Sequence, residues 1–132
     1  MDNSYLSIQE IQKILFTDLQ EVNNIIVDHI GNEVPLIKDL SKHILASGGK
    51  RIRPMVTLLC SRLCNYSGKN QLFLAACVEF IHTATLLHDD VIDESKIRRG
   101  TATANDIFGN KTSVLVGDFL FSRAFELMVQ YG

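Results

Sequence analysis

The chain has 132 residues, 13 Lys+Arg against 15 Asp+Glu, a net charge of −2 and 46% hydrophobic residues. That length fits one domain, the lack of basic excess argues against a nucleic-acid partner, and the apolar content excludes intrinsic disorder. The longest continuous apolar stretch, Leu72 to Val78, is too short to span a membrane.

The N-terminus, MDNSYLSIQE, lacks the basic and apolar regions of a signal peptide, and the three cysteines, an odd number, fit free thiols in a reducing cytoplasm. Apolar residues from Ile8 to Ile30 recur at three and four and predict one long helix. Ser7 and Glu10 form a capping box before it, and Gly31 ends it. Pro35 opens a second helix with the stripe Leu36, Ile37, Leu40, Ile44 and Leu45, which Gly48-Gly49 stops. A third helix begins near Pro54 and carries Val56, Leu59, Cys60 and Leu63; Asn65 to Asn70 is a turn. A fourth runs from about Gln71 to about Asp93. The polar segment Glu94 to Thr103 reads as a loop, Asn105 to Phe108 as a short helical piece, and Lys111–Ser113 onward as a last helix, with Gly117 inside it. No strand with clean alternation is visible, so the expected class is all-α.

The fourth helix carries the chemistry, in the string HTATLLHDDVIDESKIRRG from His82 to Gly100. At about 100° per residue, His82, Asp89 and Asp93 share one face, and Asp90 is turned about 100° from Asp89. Like charges one turn apart weaken a helix, and acids at its C-terminus oppose the macrodipole. A bound cation relieves both conflicts. Oxygen ligands alone suit Mg²⁺, which shares itself with substrate phosphates. The plainer reading is a solvated acidic cap. Two basic clusters flank this face: Lys50, Arg51 and Arg53 after Gly48-Gly49, and Arg98-Arg99 before Gly100. Glycines admit an anion close to the backbone, a helix N-terminus attracts it, and Arg offers bidentate donors. Separately each cluster reads as surface charge; together they point to two phosphate-bearing ligands, one held through metal and one by cations directly.

At GGKRIRP, DDVID and RRG the sequence resembles the trans-type polyprenyl diphosphate synthases, the farnesyl/geranylgeranyl diphosphate synthase family, over nearly the whole chain. The resemblance implies an isopentenyl-diphosphate site at Lys50, Arg53, His82 and Arg99, Mg²⁺ on Asp89 and Asp93, and an allylic-diphosphate contact at Arg98. It implies the isoprenoid-synthase helical bundle around a central cavity, usually a homodimer. The implied reaction joins isopentenyl diphosphate head to tail to an allylic diphosphate such as farnesyl diphosphate, with no protein nucleophile. Ala84 and Thr85, where the family's short-chain enzymes place bulky aromatics, are small, and FIHTATLLHDDVIDE is most similar to the bacterial long-chain branch that makes quinone side chains, the octaprenyl diphosphate synthase type.

The family's second aspartate-rich motif has no counterpart, since no aspartate follows Asp118. Residues 1–132 are therefore expected to be the N-terminal portion of an incomplete polyprenyl synthase domain, unable to act alone; a non-catalytic or regulatory module is the alternative. A terpene cyclase shares the aspartate motif but has no use for the basic clusters. Cys60, Cys64 and Cys77 are expected in the core, as are Phe119, Phe121 and Phe125. His88 is expected to pack, His29 and His43 to sit at the surface or cap, and Asp118 and Arg123 have no evident partner.

Overall fold

The computed structural model describes residues 5–31, 34–46 and 51–132. Its centre is α5 (Asn70–Ile92), which packs on α7 (Asn110–Tyr131), α4 (Ile52–Leu63) and α2 (Phe16–Ile30). Buried Ala75, Ala76 and Ala84 on α5, and Gly117 and Ala124 on α7, keep side chains small along these helices. Leu72, Phe80, Leu87, Val116, Leu120 and Leu127 supply the apolar bulk, each side chain contributing about 1.5–3 kcal/mol on burial. By length and composition α5 could cross a membrane, but it is a core helix here, half buried over its most apolar window.

Helix α1 (Ile8–Ile14) begins with the expected capping box: Glu10 N donates to Ser7 Oγ at 3.2 Å and Ser7 N to Glu10 Oε2 at 2.7 Å. The single run expected over 8–30 is broken at Leu15, whose ψ of 7° sets α1 and α2 apart while its side chain is fully buried. The 3.6-residue period continues across that bend, so periodicity alone does not reveal it. Pro35 opens α3 (Pro35–Ala46) as expected. Gly48, Gly49 and Lys50 lie outside the described residues.

The segment expected as a loop holds a small antiparallel hairpin, β1 (Ile97–Arg98) paired with β2 (Thr101–Ala102). Arg99 and Gly100 at its turn have φ of 52° and 75°, the two positive values of a type I′ connection. Strands of two residues are too short to show alternation. The next helix, α6 (Ala104–Phe108), is capped by Thr103, whose hydroxyl accepts from Asp106 N.

Two core expectations fail. Cys60 and Cys64 are exposed, because α4 turns Pro54, Met55 and Leu58 inward instead. Phe125 is 61% exposed, while Phe119 and Phe121 are partly buried against the core. Cys77 is buried as expected; its thiol donates to Ala124 O, and desolvation pushes its pKa up to about 11. His88 packs against α7, with Nε2 3.1 Å from Val114 O and 3.4 Å from Asp118 Oδ1, directly above Gly117. Arg123 pairs with Glu126 at 2.8 Å and lies over the Phe119 ring.

Candidate active site

Helix α5 presents two adjacent stripes. One carries His82, Asp89 and Asp93. The other, rotated by about 60–80°, carries Glu79 and Asp90. They differ in burial: Asp89 and Asp93 are exposed, whereas Glu79 and Asp90 are buried. Among the described residues no hydrogen bond or ion pair engages the Asp89 or Asp93 side chains, and Asp93 is the C-cap of α5. They form an outward pair of oxygen donors one turn apart. No group of three or more His, Cys, Asp or Glu among the described residues could hold a metal. A pair of free carboxylates fits an ion that completes its shell with water and substrate phosphate.

The two basic clusters meet the same stripe of α5 at different heights. Arg51, just before α4, has φ of 58° and reaches Glu79 Oε1 at 2.7 Å. Two residues on, Arg53 Nη1 lies 3.1 Å from His82 Nε2. A guanidinium can only donate, so Nε2 accepts and the imidazole proton sits on Nδ1. Burial, and then the charges of Arg53, Arg99 and Arg98, lower the His82 pKa from 6.5 against an opposing pull from Glu79, which agrees with a neutral ring.

Further along α5, Arg98 grips Asp90 through Nε to Oδ2 at 3.0 Å and Nη2 to Oδ1 at 2.7 Å. That pair raises the Arg98 pKa, helped by the Asp89 and Asp93 charges. Arg99 is exposed, and among the described residues its side chain has no hydrogen-bond or ion-pair partner. One cleft is lined by His43, Arg51, Glu79, His82, Arg98 and Arg99. Thus the structure gathers Arg53, His82, Arg98 and Arg99 around α5, beside the Asp89–Asp93 pair; Lys50 lies outside the described residues.

Sequence reading did not single out Glu79 or His43 for this site. His43, expected at the surface or in a cap, donates from Nε2 to Ala102 O at 2.8 Å and ties α3 to the hairpin. No local signal joins positions 59 apart in sequence. Glu79 was legible in principle: it lies three residues before His82 and 11 before Asp90, a helical repeat that places it on the Asp90 stripe. Of the two small residues before the acids, Ala84 is fully buried in the core and Thr85 is exposed, donating to His82 O. Only Thr85 lies near the Asp89 face.

The chain resembles octaprenyl diphosphate synthases from Haemophilus influenzae, 54% identical over 95% of this chain and 38% of the relative, and from Escherichia coli, 49% identical over 96% and 39%. It superposes on a decaprenyl diphosphate synthase from Rhodobacter capsulatus with a TM-score of 0.91 and 50% identity, covering 94% of this chain and 38% of that one. A polyprenyl synthase from Caulobacter crescentus, solved with calcium and isoprenyl diphosphate, gives a TM-score of 0.90 and 49% identity over 94% of this chain and 38% of that one. The chain therefore spans under two-fifths of the length of these relatives. Since the polyprenyl synthetase model matches residues 34–132, covering α3 to α7 and every described basic and acidic group of the cleft, the chain belongs to the polyprenyl synthetase family.

Proposed function

We propose that residues 1–132 form one helical segment of a longer polyprenyl diphosphate synthase that condenses isopentenyl diphosphate head to tail with an allylic diphosphate. The observation that carries this reading is the free Asp89–Asp93 pair beside a cleft lined with arginines. Asp89 and Asp93 would hold Mg²⁺, which neutralises charge on the departing diphosphate when bound. Lys50, Arg53, His82 and Arg99 are assigned to isopentenyl diphosphate, and Arg98 to the allylic diphosphate. The allylic C–O bond breaks with its electron pair leaving on diphosphate. The isopentenyl double bond attacks the cation, and a proton is lost. No protein nucleophile takes part. Fixed guanidinium groups stabilise the separated charge because they are already oriented before reaction. Neutral His82 contributes an Nδ1–H donor and holds Arg53 in place.

A long product, of the octaprenyl type used for quinone side chains, is favoured by the small exposed Thr85 near the Asp89 face and by the octaprenyl relatives. Farnesyl diphosphate is the proposed allylic starter. Homodimeric assembly and a cytoplasmic location complete the proposal. The alternative is a non-catalytic or regulatory helical module derived from such a synthase. The test is a chimera in which this chain replaces the matching N-terminal part of the E. coli relative. With farnesyl diphosphate, isopentenyl diphosphate and Mg²⁺ it is expected to release long-chain polyprenyl diphosphate. A folded helical chimera that yields no product overturns the enzymatic reading and leaves the module.

A further inference from the structure

We propose that Asp90 and Glu79 are positioning residues: each carboxylate holds one arginine of a basic cluster against α5, which sets the aim of the phosphate-binding groups without touching substrate or metal. This deepens the function proposed above and rests on it. The two acids are 11 residues apart, so they fall within about 20° of one another on the helix and about 16 Å apart along it. Their side chains are 8% and 10% exposed. A carboxylate so buried is costly unless paired, and each meets one guanidinium.

The Asp90 contact is the more restrictive. Both of its oxygens are occupied by Arg98, in the fork geometry that fixes a guanidinium in plane and direction. Asp90, turned about 100° from Asp89 along the helix, thus faces the hairpin and spends one acceptor site of each oxygen on Arg98. Arg98 keeps three of its five N–H groups for a ligand. Because Arg98 ends β1 and pairs with Thr101, anchoring it also anchors the turn that presents Arg99. Three further bonds hold the hairpin from other sides: His43 to Ala102 O, and Thr103 Oγ1 and Asn105 Nδ2 to Ser95 O. Glu79 does the equivalent for Arg51, one residue before α4 and two before Arg53.

The experiment uses the full chain completed with the rest of the E. coli relative. Asp90→Asn is expected to raise KM for the allylic diphosphate roughly tenfold, the loss for one misaimed charge-assisted hydrogen bond, with the Mg²⁺ dependence unchanged. Glu79→Gln is expected to do the same for isopentenyl diphosphate. Asp89→Asn is the contrast and shifts the Mg²⁺ dependence. Adding Asp90→Asn to Arg98→Gln is expected to raise KM no further, because Asp90 acts on substrate through Arg98. If Asp90→Asn moves the Mg²⁺ dependence as Asp89→Asn does, Asp90 is a metal ligand and the proposal fails. If it lowers Tm but leaves both KM values alone, its role is structural only and the proposal also fails. Hydrogen exchange of amides 97–102 separates this result from failure of the enzymatic reading. In a chimera with no activity, faster exchange in Asp90→Asn still supports positioning, and unchanged exchange overturns it.

Discussion

Arg51 and Arg99 both adopt left-handed backbone, with φ of 58° and 52°. For a residue with a Cβ this costs about 1–2 kcal/mol, and Asn or Gly would suffer less. Arg51 is held by Glu79, whereas Arg99 is assigned to isopentenyl diphosphate, so at Arg99 strain coincides with a proposed phosphate-binding group. Arg99→Asn is accordingly expected to raise Tm while weakening binding of isopentenyl diphosphate; a variant that neither gains stability nor loses affinity refutes this pairing of strain and use. His82 gives a pH signature. Its folded pKa lies below 6.5, so above 6.5 the ring is neutral in both states and its contribution to stability is complete. As pH falls below 6.5 the unfolded chain takes up the proton first, and that contribution is lost as pH drops through the lowered folded pKa. The stability difference between the parent and His82→Gln, measured by urea unfolding, is expected to favour the parent less at pH 5 than at pH 8. Equal differences would show a ring that is not held neutral.

Between elements, the α5–α7 contact depends on Gly117. A Cβ there would lie 2.3 Å from His88 Nε2, which Val114 O and Asp118 hold in place. Alanine in a helix gains about 1 kcal/mol over glycine, but overpacking costs about 1–3 kcal/mol. Gly117→Ala is therefore expected to lower Tm, and the same change in a His88→Ala background to raise it. A rise in both backgrounds removes the steric account. This contact also marks the limit of sequence reading. The helices, the capping box, and the shared face of His82, Asp89 and Asp93 were legible because each is a local repeat. The Arg98–Asp90 grip, the His43 tether and the glycine under His88 were not, because each joins separate elements. Cys60 and Cys64 were misplaced for the same reason: an apolar stretch does not show which of its sides meets a neighbour.

At the scale of the molecule, large apolar side chains remain outside. Ile92 is 76% exposed, Leu115 58%, Phe125 61% and Val129 89%, three of them along α7. An exposed apolar surface of this kind marks an interaction site or an aggregation liability. The 132-residue chain produced alone is expected to bind a hydrophobic dye and to melt at a temperature that varies with protein concentration. Joined to the remainder of the E. coli relative, it is expected to lose most dye binding. A cooperative, concentration-independent melt of the chain alone, without dye binding, would mean that this surface needs no cover.

Both stripes of α5 ride on one rigid rod, so the distance between the two proposed ligand regions is counted in peptide units. His82 stands about 10 Å from Asp89 and about 16 Å from Asp93 along the axis. One codon gained or lost between His82 and Asp89 would turn everything beyond it by about 100°, taking Asp89 and Asp93 off the face they share with His82. In this stretch the number of residues is thus a stricter constraint than the identity of many of them. Point changes at outward positions other than Asp89 and Asp93 are tolerable, whereas changes of length are not.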